Sequence, residues 1–105
     1  MNRKQQLLEF LAQSPNDSFL KFALALEFIK AGDDDSALVY FKDIITHDPD
    51  YTGTYYHLGK LYQRKNDHSL ARQTLMDGID RTKEKDPHTY AELRQALDEL
   101  NEESE

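Results

Sequence analysis

Apolar side chains return along the chain in six stretches, each at the spacing of a helix with one buried side. The first runs from about Arg3 to Gln13 and gathers Leu7, Leu8, Phe10 and Leu11 on a broad face. Ser14-Pro15-Asn16-Asp17 ends it, because proline has no N–H for the helical ladder and its neighbours carry capping oxygens. The second, about Ser18 to Lys30, is apolar nearly all round: Phe19, Leu20, Phe22, Ala23, Leu24, Ala25, Leu26, Phe28 and Ile29 leave a narrow polar stripe at Lys21, Glu27 and Lys30. Such a helix needs cover on more than one side. Ala31-Gly32-Asp33-Asp34-Asp35 reads as a tight turn, with Gly32 suited to a left-handed C-cap and Asp34 or Asp35 to the next N-cap.

The third helix, about Ser36 to His47, carries Ala37, Leu38, Phe41, Ile44 and Ile45 in one stripe, and Asp48-Pro49-Asp50 stops it. The fourth, about Thr52 to Lys65, sets Tyr55, Leu58, Gly59, Leu61 and Tyr62 together, with Tyr56, Lys60, Gln63 and Arg64 opposite. The fifth, about His68 to Lys83, buries Ala71, Leu75 and Ile79, with Met76 at the edge. A mid-helix glycine costs about 1 kcal/mol against alanine, so Gly78 is expected to permit a close backbone approach. Asp86-Pro87 starts the sixth, with Tyr90, Leu93, Leu97 and Leu100 at helical spacing, before an acidic tail, Asn101 to Glu105, that is expected to fray.

The stretches repeat. Pro15 and Pro49 lie about 34 positions apart, a period read as stacked helical hairpins. At that offset Leu24 falls on Leu58, Ala25 on Gly59, Phe28 on Tyr62, Gly32 on Asn66, Asp33 on Asp67, Ala37 on Ala71 and Phe41 on Leu75. These residues resemble the tetratricopeptide repeat family, most specifically along Tyr55-Tyr56-His57-Leu58-Gly59-Lys60-Leu61-Tyr62. Lys21 departs from the pattern in place of the first helix-A aromatic, as do Ile44 at a small-residue position, Asn66 at the turn glycine and Lys83 at the closing proline.

The resemblance implies an all-α fold of antiparallel hairpins stacked as a short right-handed superhelix of about six helices. The layout is similar to that of small free-standing bacterial proteins of this family. A single domain over 1–105 is expected: a helix at 1–14 resembling helix B of an incomplete repeat, repeats at 18–51 and 52–85, a capping helix at 86–100 and a tail at 101–105.

Composition narrows the function. A net charge of −7 with no basic cluster argues against nucleic acid, since phosphate binding needs concentrated Lys and Arg. With no cysteine there is no disulfide, thiol nucleophile or Cys-based metal site. Neither a signal-peptide core nor a membrane span is visible, so a cytoplasmic protein is expected. His47, His57, His68 and His88 include no i, i+4 pair for a metal, and Asp33-Asp34-Asp35 lacks the alternating ligands of a calcium loop. No phosphate loop or nucleophile motif is present. No cofactor, metal or catalytic residue is expected, and the protein is not read as an enzyme.

In this family, helices A line a concave groove across which partners lie. Carried over by position, the resemblance implies a binding face of Phe22, Leu26, Ile29 and Lys30 from the first repeat, with Phe19 nearby. Tyr56, Lys60, Gln63 and Arg64 follow from the second repeat, and Tyr90 and Arg94 from the last helix. The partner would be a protein or peptide. The carboxylate clamp of chaperone-binding members is missing: its positions hold Phe22, Leu26, His57, Pro87 and Ala91, which argues against chaperone tails. A homodimer burying Phe19, Phe22, Leu26 and Ile29 is the alternative, and core under the first helix is a third place for Phe19, Phe22 and Leu26.

Overall fold

The computed structural model of the chain describes residues 2–103, which form α1 (Arg3–Gln13), α2 (Ser18–Lys30), α3 (Asp34–His47), α4 (Gly53–Arg64), α5 (His68–Thr82) and α6 (Pro87–Glu103). No strand occurs among the described residues. Short polar side chains begin five of the helices. Asn2 and Gln5 form a reciprocal capping box at α1, Asp17 accepts from Leu20 N–H, Asp67 from Leu70 N–H and Asp86 from Thr89 N–H. At α3 the cap is Asp33, which accepts from the N–H of Ser36 at 3.1 Å and from its hydroxyl at 2.7 Å. The sequence pointed to Asp34 or Asp35 instead. Those two lie in the first turn, where the positive end of the helix dipole favours carboxylates.

The chain gathers into two compact units, Met1–Tyr51 and Thr52–Glu105. In the first, α2 and α3 pack as a hairpin and α1 lies on α2. Leu7 of α1 joins Ala23 and Leu24 in a buried cluster edged by Leu11, Leu20, Phe28 and Tyr40. Ala25, Ala37, Phe41 and Ile44 are buried as well. Thus α1 covers the Leu20, Leu24 and Phe28 flank of α2. Phe19 is 59% exposed, so it is no part of a core under α1. A second departure concerns Lys21, expected in the polar stripe of α2 but only 6% exposed. Its side chain points at α3, where Asp43 meets the ammonium at 2.7 Å.

In the second unit α4 and α5 form the hairpin and α6 packs against both. Two glycines set its tightness. A Cβ on Gly59 would stand 2.6 Å from Leu75 Cδ2, and one on Gly78 only 2.5 Å from Tyr55 Cβ, the close approach expected at that position. The hairpin turns use the left-handed backbone region at equivalent places, Gly32 at φ 80° and Asn66 at φ 62°. The buried hydroxyl of Thr82 donates to the Gly78 carbonyl at 2.9 Å and that of Thr74 to the Leu70 carbonyl at 2.7 Å. Helix α6 continues past Leu100 to Glu103. Asn101 and Glu103, expected to fray, are tied back by Arg72 and Gln63. Glu102 belongs to the same helix, and Ser104 and Glu105 of the acidic tail lie outside the described residues.

Candidate binding surfaces

On α2, Phe22, Leu26, Ile29 and Lys30 stand at i, i+4, i+7 and i+8, which places them along one side of the helix. The first three are half-buried and Lys30 is exposed. Phe22 is held in an aromatic cluster, its ring centroid 6.1 Å from that of Phe41 and 5.6 Å from that of Tyr51.

The same offsets recur on α4 as Tyr56, Lys60, Gln63 and Arg64, and the next copy begins with Tyr90 and Arg94 on α6. The aromatic position is therefore kept through Phe22, Tyr56 and Tyr90, and the last position is cationic in both full copies, Lys30 and Arg64, while the two between change from Leu26 and Ile29 to Lys60 and Gln63. Tyr56 is half-buried and meets His57 edge-on at 5.5 Å. Arg94 sits 6.0 Å from the Tyr90 ring centroid, within cation–π reach.

Of these residues, Lys60, Gln63 and Arg64 line one cleft of about 540 Å³ with Asn66, His68 and Glu103, and the cleft does not include Tyr56, Tyr90 or Arg94. Gln63 donates through Nε2 to the Glu103 carboxylate. Burial depresses the proton affinity of His57 on the neighbouring turn, against the pull of Glu92. His57 is thereby biased towards neutrality.

A second cleft, of about 510 Å³, was not foreseen. Phe28, Ser36, Val39, Tyr40, Lys42, Asp43 and Thr46 line it. Its wall is ordered: the Phe28 and Tyr40 rings stack at 5.8 Å and 13°, and Lys4 lies 5.2 Å above Phe28. The available signal was Val39, an aliphatic residue outside the buried stripe of α3 and 66% exposed.

The polar groups in both clefts donate, accept and attract charge. Among the described residues no cluster of three or more His, Asp or Glu could hold a metal, and no helix is long and apolar enough to cross a membrane.

Residues 28–97 match the family profile described as tetratricopeptide repeat. A crystal structure of a tetratricopeptide repeat domain protein from Salinibacter ruber is 38% identical, with a TM-score of 0.79 over 82% of this chain and 97% of that one. A solution structure of a tetratricopeptide repeat domain protein from the same organism is 39% identical, with a TM-score of 0.77 over 82% of this chain and 88% of that one. A Bordetella parapertussis protein solved in solution is 27% identical, with a TM-score of 0.83 over 98% of this chain and 90% of that one. No curated protein matches the chain. Profile, identity and fold agree, and the chain belongs to the tetratricopeptide repeat family, whose members serve in general as non-enzymatic protein–protein interaction modules.

Proposed function

We propose that this protein is a non-enzymatic adaptor that binds a protein or peptide through the outward sides of its hairpins' first helices. Each unit would supply one face: Phe22, Leu26, Ile29 and Lys30 on α2, and Tyr56, Lys60, Gln63 and Arg64 on α4, extended by Tyr90 and Arg94 on α6. The observation that carries this reading is the repetition of one i, i+4, i+7, i+8 pattern with an aromatic at its head, a cation at its end and different chemistry between them. A surface that only needed solvation would not keep half-buried rings at Phe22, Tyr56 and Tyr90. Aromatic anchors beside a few cations suit a polypeptide, with burial supplying affinity and charge supplying register.

The test is a pull-down with mass spectrometry, followed by titration of the recovered partner. Replacing Tyr56, Lys60 and Arg64 together by alanine should abolish binding while far-ultraviolet circular dichroism stays unchanged. Full binding by that variant would remove α4 from the interface.

A second reading has its own observation. Phe19 is 59% exposed at the start of the most apolar helix, and Phe10 is 57% exposed on α1. Self-association through α2 would cover Phe19. Sedimentation across the micromolar range decides it, and a monomer at every concentration eliminates the dimer.

A further inference from the structure

The cleft at the α4–α5 turn collects hydrogen-bond donors on a chain whose net charge is −7. Lys60 and Arg64 bring fixed positive charge, Gln63 and Asn66 bring amides, and His68 adds an imidazole. The one carboxylate in the lining is Glu103, from the last turn of α6. It arrives because α6 continues beyond Leu100, held by the 3.0 Å hydrogen bond from Arg72 Nε to Asn101 Oδ1.

Gln63 shows how incomplete this occupancy is. Its Nε2 donates to Glu103, yet its Oε1 is buried and has no hydrogen-bond partner among the described residues. A buried amide oxygen without a donor is costly. Glu103 cannot relieve it: a carboxylate only accepts, and backbone N–H groups inside a helix are committed to carbonyls four residues earlier. An acidic residue on an extended segment carries both missing parts, a carboxylate for the cations and a backbone N–H for Oε1.

We propose that this cleft is a subsite for an acidic, extended segment of a partner polypeptide, and that Glu103 is an internal stand-in which the incoming carboxylate displaces. The inference rests on the peptide-binding reading above and names the chemistry of its partner at one place. It also gives the end of α6 a regulatory part: Glu103 lowers the cleft's affinity for weak acidic ligands and leaves it open to those with more to offer.

The probe is a fluorescein-labelled glycine–serine peptide with a central Glu-Glu pair, and its Gln-Gln counterpart is the control. Fluorescence anisotropy is read on the full chain at low and moderate salt. Removing the competing carboxylate with Glu103→Ala or Glu103→Gln should tighten binding of the Glu-Glu peptide by about tenfold, the scale of one charge-assisted hydrogen bond. Lys60→Gln with Arg64→Gln should remove that binding, added salt should weaken it, and the Gln-Gln peptide should not bind.

Binding unchanged by both Glu103 variants, or equal binding of the two peptides, overturns the subsite. Phe22→Ala separates the two proposals. If it or the α4 triple variant abolishes capture of a partner while the Glu-Glu probe ignores Glu103, the adaptor reading stands and the subsite falls. Loss of the probe in the α4 variants alone, with partner capture intact, supports the subsite and overturns the α4 part of the adaptor face.

Discussion

The ammonium of Lys21 lies 2.7 Å from Oδ2 of Asp43, joining α2 to α3 inside the first unit. The two ends of this pair are unequal. The Lys21 side chain is 7% exposed and that of Asp43 is 39% exposed. Water can reach the carboxylate, while the cation depends on its partner.

That asymmetry ranks two substitutions. Asp43→Ala strands a buried ammonium and should cost about 3 kcal/mol, as breaking one side of a buried pair does. Lys21→Met keeps the apolar stem and removes the charge, so it should stay within about 1 kcal/mol of the parent. Urea unfolding of both variants checks the order. An Asp43→Ala variant more stable than Lys21→Met would contradict it.

Acid should dissolve the same tie. The hydrogen bond from Lys21 foremost, with the nearby His47, holds the Asp43 carboxyl below its ordinary 3.8. Because the unfolded chain takes up the proton first, the stabilisation is complete well above 3.8 and is lost as pH falls through the lower folded value. Asp33 and Asp86, held down by their cap hydrogen bonds to Ser36 and Thr89, act in the same direction. Asp43→Asn should therefore flatten the decline of melting temperature below about pH 4. Near neutrality His57 acts separately. Burial lowers its folded value below 6.5, so the unfolded chain protonates first and stability falls as pH drops through 6.5. His57→Gln should remove that limb between about pH 7 and 5.

The two tight glycines should respond differently to added methyl groups. At Gly59 the obstacle is the end of the Leu75 side chain, and at Gly78 it is Tyr55 Cβ, which is fixed to backbone. Gly78→Ala should cost about 2 kcal/mol despite better helix propensity. Gly59→Ala should be relieved by Leu75→Val, with a favourable coupling of about 1 kcal/mol in a double-mutant cycle. No shortening of Tyr55 short of glycine should rescue Gly78→Ala.

At the second hairpin turn, Asn66 holds φ 62°, where the first turn has Gly32. Asn66→Gly should be neutral or stabilise by a few tenths of a kcal/mol, while Asn66→Ala should lose about 1 kcal/mol, since only a short polar side chain or none tolerates that region. Thermal melts of the pair give the sign of each.

Much of the fold was legible because its signals are local. Asp17 and Asp86 cap the helices that follow them, Pro15 and Pro49 fall between helices, and Gly78 sits against another helix as its propensity cost suggested. Asp33 was missed because three successive aspartates are equivalent to a sequence reader, and backbone geometry selects among them. Of the candidate surface, Lys60, Gln63 and Arg64 do meet in a cleft, but its fourth wall is Glu103, about 40 positions away, beyond the reach of any helical period.

Six helices, their starts and stops, and a hairpin repeat are written into the chain locally, since dihedral preferences, caps and apolar periodicity act within a turn or two. Packing between helices settled the rest: Lys21 is buried and paired, α1 shelters Leu24 and Phe28 while leaving Phe19 in water, and Glu103 enters the cationic cleft. Each of those outcomes depends on which side chain a neighbouring helix presents at a given point. That is a property of surfaces in contact, and no single helix carries it.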